Sequence, residues 1–143
     1  MASPVDEHVM HALVQAARAA RERAYAPYSK FKVGAALLDD HGRLHAGCNI
    51  ENAAYPQSQC AEASAIAHLV LTGSHRILAV AVVGVAAEPV TPCGGCRQRL
   101  REFAADDVPI WMADEQIIRA KYTLGQLLPA SFGPDHLVQE LRS

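Results

Sequence analysis

The sequence lacks any apolar run long enough to cross a membrane. Its longest run, Ile77 to Ala87 with Gly84 inside it, is well short of the ~20 residues that a spanning helix requires. The first eight residues include two acidic side chains and no Lys or Arg, unlike the basic and apolar regions of a secretory signal. These absences predict a cytoplasmic chain with no membrane partner.

The sequence also has little charge of either sign and no cluster of basic residues. It contains 13 Lys and Arg against 15 Asp and Glu, a net charge of -2 at pH 7, so a polyanion meets no general attraction and nucleic acid is not an expected partner. Its hydrophobic content of 50% excludes a disordered chain, and its 143 residues fit one globular domain. We therefore expect a single domain over residues 1–143.

Cysteines are few, and the histidines form neither an HExxH nor an HxE motif. Because thiols stay reduced in the cytoplasm, the four cysteines indicate metal binding or catalysis before disulfides. Cys93 and Cys96 form a CxxC pair directly after Pro92, with two glycines between them that let the backbone turn around an ion. The same spacing serves thioredoxin-like redox chemistry, so the pair alone does not decide between the two.

A third cysteine, Cys60, stands just before a predicted helix over residues 61–71. Helix N-termini stabilise thiolates through their N–H groups and dipole, so two cysteine-headed helices can converge on Zn²⁺. Three protein ligands leave a fourth position open, which is typical of catalytic zinc. Glu62 follows Cys60 by two residues, close enough to serve as a proton shuttle without binding the metal.

Cys60-x-Glu62 followed by Pro92-Cys93-x-x-Cys96 is the three-cysteine form of the zinc nucleobase deaminase motif. In this and three further segments the sequence resembles the cytidine deaminases, specifically their short-chain homotetrameric form. The three segments are YAPYSKFKVGAA at residues 25–36, CNIENAAY at 48–55 and LLPASF at 127–132.

The resemblance implies a zinc enzyme with Cys60, Cys93 and Cys96 as ligands and Glu62 as the catalytic group. The expected reaction is hydrolytic deamination of cytidine and 2′-deoxycytidine to uridine and 2′-deoxyuridine with release of ammonia, a step of pyrimidine salvage. The backbone N–H of Ala61 is expected at the 2-oxo group of the base.

The resemblance also assigns the nucleoside pocket. Asn49 and Glu51 are expected to hold the ribose hydroxyls, and Phe31 to line the pyrimidine pocket. Phe132 is expected to stack on the base bound by a neighbouring subunit, and Tyr55 to reach the same shared site. Activity would then depend on a homotetramer, in which identical neighbours complete the sites that a second, non-catalytic domain completes in longer deaminases.

One position departs from the family pattern. Many cytidine deaminases carry arginine directly after the catalytic Glu, where it donates to the thiolates, but this chain has Ala63. Three thiolates carry one negative charge more than Zn²⁺ neutralises, so a nearby cation is expected to offset it. Arg97, directly after Cys96, is the obvious candidate; otherwise the N–H groups at the helix starts must suffice.

Hydrophobic periodicity predicts a mixed α/β fold. Apolar residues at helical spacing predict a first helix, period-2 alternation predicts a hairpin, and a continuous apolar run predicts a central strand covered on both faces. The four residues between the last two strands cannot hold a crossover helix, so these strands should be antiparallel. With the resemblance, the expectation is a three-layer α/β/α fold around a five-stranded sheet. The predicted helices are 6–24, 61–71 and 94–103; the predicted strands are 31–37, 44–49, 77–86, 108–112 and 117–123.

Four alternatives remain open. A structural zinc site could use all four cysteines, Cys48 included. A deaminase of a cytosine-containing antibiotic such as blasticidin S shares the zinc motifs. A polynucleotide editor is disfavoured by the net charge and the short gap between the last strands. A binding module stabilised by a structural zinc ion explains the cysteines but gives no function to Glu62, Asn49 and Glu51.

Overall fold

The structure, a computed structural model, describes residues 5–138, so residues 1–4 and 139–143 of the expected domain lie outside it. Among the described residues no helix is both long and apolar enough to cross a bilayer. The elements in chain order are α1 (Glu7–Arg21), β1 (Gly34–Asp39), β2 (Leu44–Cys48), a short 3-10 helix (Tyr55–Gln57), α2 (Ala61–Leu71), β3 (Ile77–Val83), α3 (Gly94–Arg101), β4 (Pro109–Ala113), β5 (Ile118–Thr123), α4 (Leu124–Leu127) and α5 (Pro134–Val138).

The five strands form one mixed sheet in the order β2-β1-β3-β4-β5. β3 and β4 are parallel and are joined through α3, whereas the other neighbouring pairs are antiparallel. The antiparallel pairing of β4 with β5 was the prediction from their short connection, and it is confirmed. Both short helices after β5 were absent from the sequence-based expectation.

Helices cover both faces of the sheet, which confirms the three-layer α/β/α fold. Leu13, Val14 and Ala17 of α1 pack on one face, and α2 and α3 pack on the other with Leu69 and Leu100. Consequently all six residues of β1 are buried. The alternation expected for this strand was wrong, because β1 lies between α1 and α2 and has no solvent face.

The first strand also begins later than expected. Phe31 and Val33 lie before β1, which starts at Gly34. The side-chain amide of Asn49 takes the place of a strand there: its Nδ2 donates to the Phe31 carbonyl at 2.8 Å, and its Oδ1 accepts from the Val33 N–H at 2.9 Å. Residues 31–33 are therefore an irregular segment held by side chains, since Arg21 also donates to the Lys32 carbonyl at 3.0 Å and the Ser29 hydroxyl accepts from the Phe31 N–H at 3.0 Å.

Two contacts fasten α2 to the β1–β2 hairpin. Near its start, α2 passes so close to Gly47 of β2 that a Cβ there would lie 2.4 Å from the Ala65 nitrogen. Near its end, His68 contacts the buried His45 ring at 2.9 Å, and His45 in turn contacts the buried Asp39 carboxylate at 2.7 Å. These contacts fix where α2, and hence Cys60 and Glu62 at its start, sits against the sheet.

Candidate metal centre and nucleoside pocket

Three of the four cysteines meet where α2 and α3 begin. Cys60 is the N-cap residue of α2, Cys93 is the N-cap residue of α3, and Cys96 lies in the first turn of α3. All four cysteines are free thiols. Because both helices start at a ligand, their unpaired N–H groups and dipoles favour negative charge at this point.

The spacing of the three sulfur atoms suits a tetrahedral metal ion. All three Sγ atoms lie within 4.8 Å of one another, and those of Cys60 and Cys93 are 3.8 Å apart. Zn–S bonds of about 2.3 Å in a tetrahedron separate two sulfurs by about 3.8 Å. The cluster therefore fits zinc with three thiolates. Cys48 is not part of it within residues 5–138, which disfavours the four-cysteine structural site.

The thiols also repel one another as anions unless a cation joins them. Burial and the nearby Glu62 carboxylate raise the pKa of the Cys96 thiol far above its ordinary value, and burial likewise raises the pKa of Cys60. Burial acts in the same direction at Cys93, but hydrogen bonds from the Cys96 N–H and the neighbouring thiols outweigh it and lower that pKa. A divalent cation is the species that lets all three ionise together.

Glu62 is a buried carboxyl group beside this cluster. It is 4% exposed and lines the cavity above the thiols, one residue into α2. Burial raises its pKa, while hydrogen bonds and the charge of Arg99 act in the opposite direction. A carboxyl group whose pKa is raised in this way binds a proton more readily than an exposed glutamate does, which suits a group that carries a proton during a reaction.

The cavity above the thiols has a volume of about 300 Å³, at the lower end for small-molecule sites. Its lining includes five of the predicted substrate or catalytic residues together with two of the predicted ligands. It also includes residues that the sequence did not single out, namely Ser29, Val33, Val82, Val90 and Thr91. The predicted residues in the lining are Phe31, Asn49, Glu51, Cys60, Ala61, Glu62 and Cys93.

Glu51 lies at the mouth of this cavity as a hydrogen-bond acceptor. Its Oε1 accepts from the Tyr28 N–H at 3.0 Å and the Ser29 N–H at 3.1 Å, and its Oε2 accepts from the Ser29 hydroxyl. The Ser29 hydrogen bonds lower the pKa of Glu51, so it is ionised at neutral pH. The sequence did not indicate the role of Ser29, because a serine next to a lysine is typical of an ordinary exposed loop.

Exposed aromatic side chains lie next to the cavity at Glu51, since Tyr28 and Tyr55 line an adjoining pocket together with this residue. Phe31 is 40% exposed, and Tyr28 contacts Tyr55 edge-to-face with ring centroids 5.8 Å apart. Tyr55 is 70% exposed and Phe132 is 56% exposed, and neither is among the described residues that line the cavity. Within this chain the site therefore brings together Phe31, but not Tyr55 or Phe132, with the thiols.

The two arginines near the thiols have different contacts. Arg97 donates to the carbonyls of Pro92 at 2.7 Å and Leu127 at 2.8 Å and to the Thr91 hydroxyl at 3.1 Å. Arg97 therefore tethers the loop that leads into Cys93. The guanidinium of Arg99, by contrast, approaches a sulfur, with its Nη1 3.9 Å from the Cys96 Sγ. The sequence had drawn attention to Arg97 but not to Arg99.

Comparison with known proteins agrees with this geometry. The family model of the cytidine and deoxycytidylate deaminase zinc-binding region matches residues 6–112. A cytidine deaminase of Sporosarcina psychrophila is 42% identical over 125 residues, which are 87% of this chain and 92% of the relative. A cytidine deaminase of Mycobacterium tuberculosis is 44% identical over 119 residues, covering 83% of this chain and 86% of the relative.

A solved structure shares the fold as well. The crystal structure of a cytidine deaminase from Burkholderia pseudomallei superimposes with a TM-score of 0.80 at 44% sequence identity, covering 85% of this chain and 98% of that one. The family model's match, residues 6–112, contains both cysteine-headed helices. The chain belongs to the cytidine and deoxycytidylate deaminase family of zinc enzymes.

Proposed function

We propose that this protein hydrolyses cytidine and 2′-deoxycytidine to uridine and 2′-deoxyuridine, releasing ammonia. The observation that carries the proposal is the cavity of about 300 Å³ lined by Cys60, Cys93 and the buried Glu62 carboxyl group, in which both cysteines belong to the three-thiol cluster. In the reaction the oxygen of water bonds to C4 of the base and the bond from C4 to the amino nitrogen breaks. When bound by the thiolates, zinc supplies the Lewis acidity that makes water nucleophilic at neutral pH.

Glu62 is the proton carrier in this proposal. Its carboxylate accepts a proton from the attacking water, delivers it to N3 of the ring and helps to protonate the departing amine. Ala61 is the first residue of α2, so its N–H lacks an intrahelical partner and can donate to the 2-oxo group of the base. Phe31 supplies an apolar wall for the pyrimidine ring.

Asn49 and Glu51 can hold the sugar without giving up the contacts they already make. An amide side chain has two N–H donors and two acceptor lone pairs, and Asn49 uses one of each on residues 31–33. A carboxylate has about four acceptor sites, and Glu51 uses three of them. The unused donor and acceptor positions of Asn49 and Glu51 are suited to ribose hydroxyls. The site is therefore better suited to a nucleoside than to a free base.

Four compounds test the proposal against its alternatives. The zinc-loaded protein is incubated with cytidine, 2′-deoxycytidine, free cytosine and blasticidin S, and ammonia release is measured. We expect turnover of both nucleosides and little turnover of cytosine, because cytosine cannot use Asn49 and Glu51. Faster turnover of blasticidin S would replace the nucleoside by an antibiotic as substrate. No turnover of any compound would leave the binding module stabilised by a structural zinc ion as the better explanation.

We further propose that the chain is one catalytic domain that works as a cytoplasmic homotetramer with shared sites, in pyrimidine salvage. Exposed aromatic side chains support this, because Tyr28 and Tyr55 contact each other beside Glu51, Phe31 is also exposed, and large apolar groups clustered on a surface are typical of an interface. The four free thiols are compatible with the reducing cytoplasm. In this arrangement Phe132, and with it Tyr55, belongs to the site of a neighbouring subunit.

Phe132→Ala is expected to raise KM for cytidine about tenfold, because stacking of a base on an aromatic ring contributes about 1–3 kcal/mol. A mixture with Glu62→Gln subunits tests whether the ring acts across an interface. Hybrid tetramers then contain sites with Glu62 from one subunit and Phe132 from the other. We expect low-KM activity to reappear in the mixture. If the activity after subunit exchange is only the sum of the activities of the two separate variants, the site is not shared.

Arg97→Gln is expected to weaken zinc retention several-fold, because Arg97 tethers the Pro92 carbonyl directly before the ligand Cys93. Zinc transfer to a colorimetric chelator measures the effect. Arg119→Gln is a matched control, since Arg119 also donates to two backbone carbonyls, those of Ala86 and Ala87, away from the thiols. Equal zinc retention by the two variants would show that Arg97 has no special part in the metal centre.

A further inference from the structure

Three thiolates with Zn²⁺ carry a net negative charge, and among the described residues no Lys or Arg lines the cavity to offset it. Three thiolates exceed the charge of Zn²⁺ by one, and the Glu62 carboxyl group beside them is also acidic. An excess negative charge weakens the metal as a Lewis acid, so the site needs a cation outside the cavity. Arg97 is committed to two carbonyls and a hydroxyl.

Arg99 is in a position to supply that cation. It lies three residues after Cys96 on α3, so both side chains are on the same face of the helix. Its Nη1 is 3.9 Å from the Cys96 Sγ, within range of a hydrogen bond to sulfur. Its charge also acts on Glu62, since it opposes the effect of burial on that carboxyl group.

The Arg99 guanidinium lies against the first turn of its own helix. A Cβ at Gly95 would be 3.4 Å from the Arg99 Nη1, an ordinary contact distance, so the guanidinium is close to the residue that precedes Cys96. Ala63, next to Glu62 on α2, lines the same surface groove between α2 and α3 as Arg99. Within residues 5–138, groove and cavity share no lining residue, and Arg99 is not among the residues that line the cavity.

We propose that Arg99 is a positioning residue of the metal centre, which donates to the Cys96 thiolate from outside the cavity and offsets the excess negative charge on zinc. The inference rests on the proposed function for its catalytic consequence, but its effect on the metal is separable. Without Arg99, the Cys96 thiolate loses a hydrogen-bond donor and the zinc centre keeps its excess negative charge. Both zinc retention and the turnover number then fall, while KM stays unchanged because substrate does not touch Arg99.

The test measures zinc transfer to a chelator and, on the zinc-loaded fraction, kcat and KM for cytidine. Arg99→Gln is expected to lose zinc about tenfold faster and to lower kcat at constant KM. Arg99→Lys keeps the charge and is expected to recover part of both. Arg101→Gln is the matched control on the same helix, because Arg101 donates to Ser131 and Asp135 away from the sulfurs, and it should retain zinc normally.

Moving the arginine to another position in the groove distinguishes the effect of its charge on the thiolates from its contribution to helix packing. The double variant Ala63→Arg with Arg99→Gln delivers a guanidinium into the same groove from α2 and is expected to regain zinc retention. Unchanged retention and kcat in Arg99→Gln would overturn the proposal. A loss that neither Arg99→Lys nor the double variant repairs would also overturn it, since Arg99 would then serve only helix packing. If the unaltered protein holds zinc but deaminates nothing, the proposed function fails while zinc transfer still decides the role of Arg99.

Discussion

Glu62→Gln is expected to abolish most deamination while zinc stays bound. General acid–base catalysis contributes about 10²–10⁴-fold to a rate, and Glu62 is the buried carboxyl group of the cavity next to the thiols. Glutamine keeps the size and hydrogen-bonding shape of the side chain but cannot carry the proton. Zinc should remain, because the three sulfur ligands are unchanged. Turnover of cytidine and the zinc content of the same sample check both parts.

The competing explanation is that Glu62 only stabilises the start of its helix. A carboxylate in the first turn of a helix contributes about 0.3–1 kcal/mol through the helix dipole. Glu7 occupies the first turn of α1 and is exposed, so Glu7→Gln reproduces that role without the cavity. We expect Glu7→Gln to lose a little stability and no activity. Equal activity of the two variants would remove Glu62 from the reaction.

Because Glu62 is buried, its replacement by glutamine also changes the free energy of unfolding. A charged carboxylate in a buried position costs free energy of folding, which is why burial raises the pKa of Glu62. An amide removes that cost, so Glu62→Gln should unfold at a temperature no lower than that of the unaltered protein when both are free of metal. A loss of activity can then be assigned to chemistry and not to unfolding.

Local sequence signals predicted the parts of the molecule that depend on neighbours in the chain. Cys60 and Glu62 could be placed at a helix start because a helix-forming segment follows them directly. The antiparallel pairing of β4 with β5 followed from the length of their connection. In each case the deciding information lay within about a dozen residues, the range over which turns, caps and periodicity act.

Features that depend on distant neighbours could not be predicted. The full burial of β1 follows from α1 and α2 on opposite faces, and no period within β1 itself indicates it. Asn49 shapes residues 31–33 through its amide across a separation of 16 to 18 residues. Arg99 could have been suspected from its i, i+3 spacing to Cys96, but only the folded helix shows which way the guanidinium turns.

Gly47→Ala is expected to damage both the fold and the metal centre, although residue 47 neither lines the cavity nor belongs to the thiol cluster. The added Cβ would lie 2.4 Å from the Ala65 nitrogen and 2.7 Å from the Ala61 oxygen. Both atoms belong to the backbone of α2, which cannot turn aside as a flexible side chain can. The helix must move away from the sheet, at a cost of about 1–3 kcal/mol for an overpacked core.

The same movement displaces the ligand at the start of α2. Cys60 directly precedes Ala61, so a shift of the first turn carries its sulfur away from those of Cys93 and Cys96. Metal–ligand distances tolerate only about 0.2 Å, and a misplacement of 1 Å in a site can cost about 10²-fold in rate. Urea unfolding, zinc transfer to a chelator and cytidine turnover should all be affected in this one variant.

Gly42→Ala is the control that separates a loss of stability from a displacement of Cys60. Gly42 has a φ of 80°, in the left-handed region, and nothing lies within 4 Å of where its Cβ would be. Alanine there costs about 1–2 kcal/mol through backbone strain in the hairpin turn, without pressing on α2. We expect Gly42→Ala to lose stability while keeping zinc and turnover, and Gly47→Ala to lose all three. If the two variants retain zinc equally well at 25 °C, the close approach at Gly47 does not hold Cys60 in place, and the centre must be aligned by the loop that precedes α2.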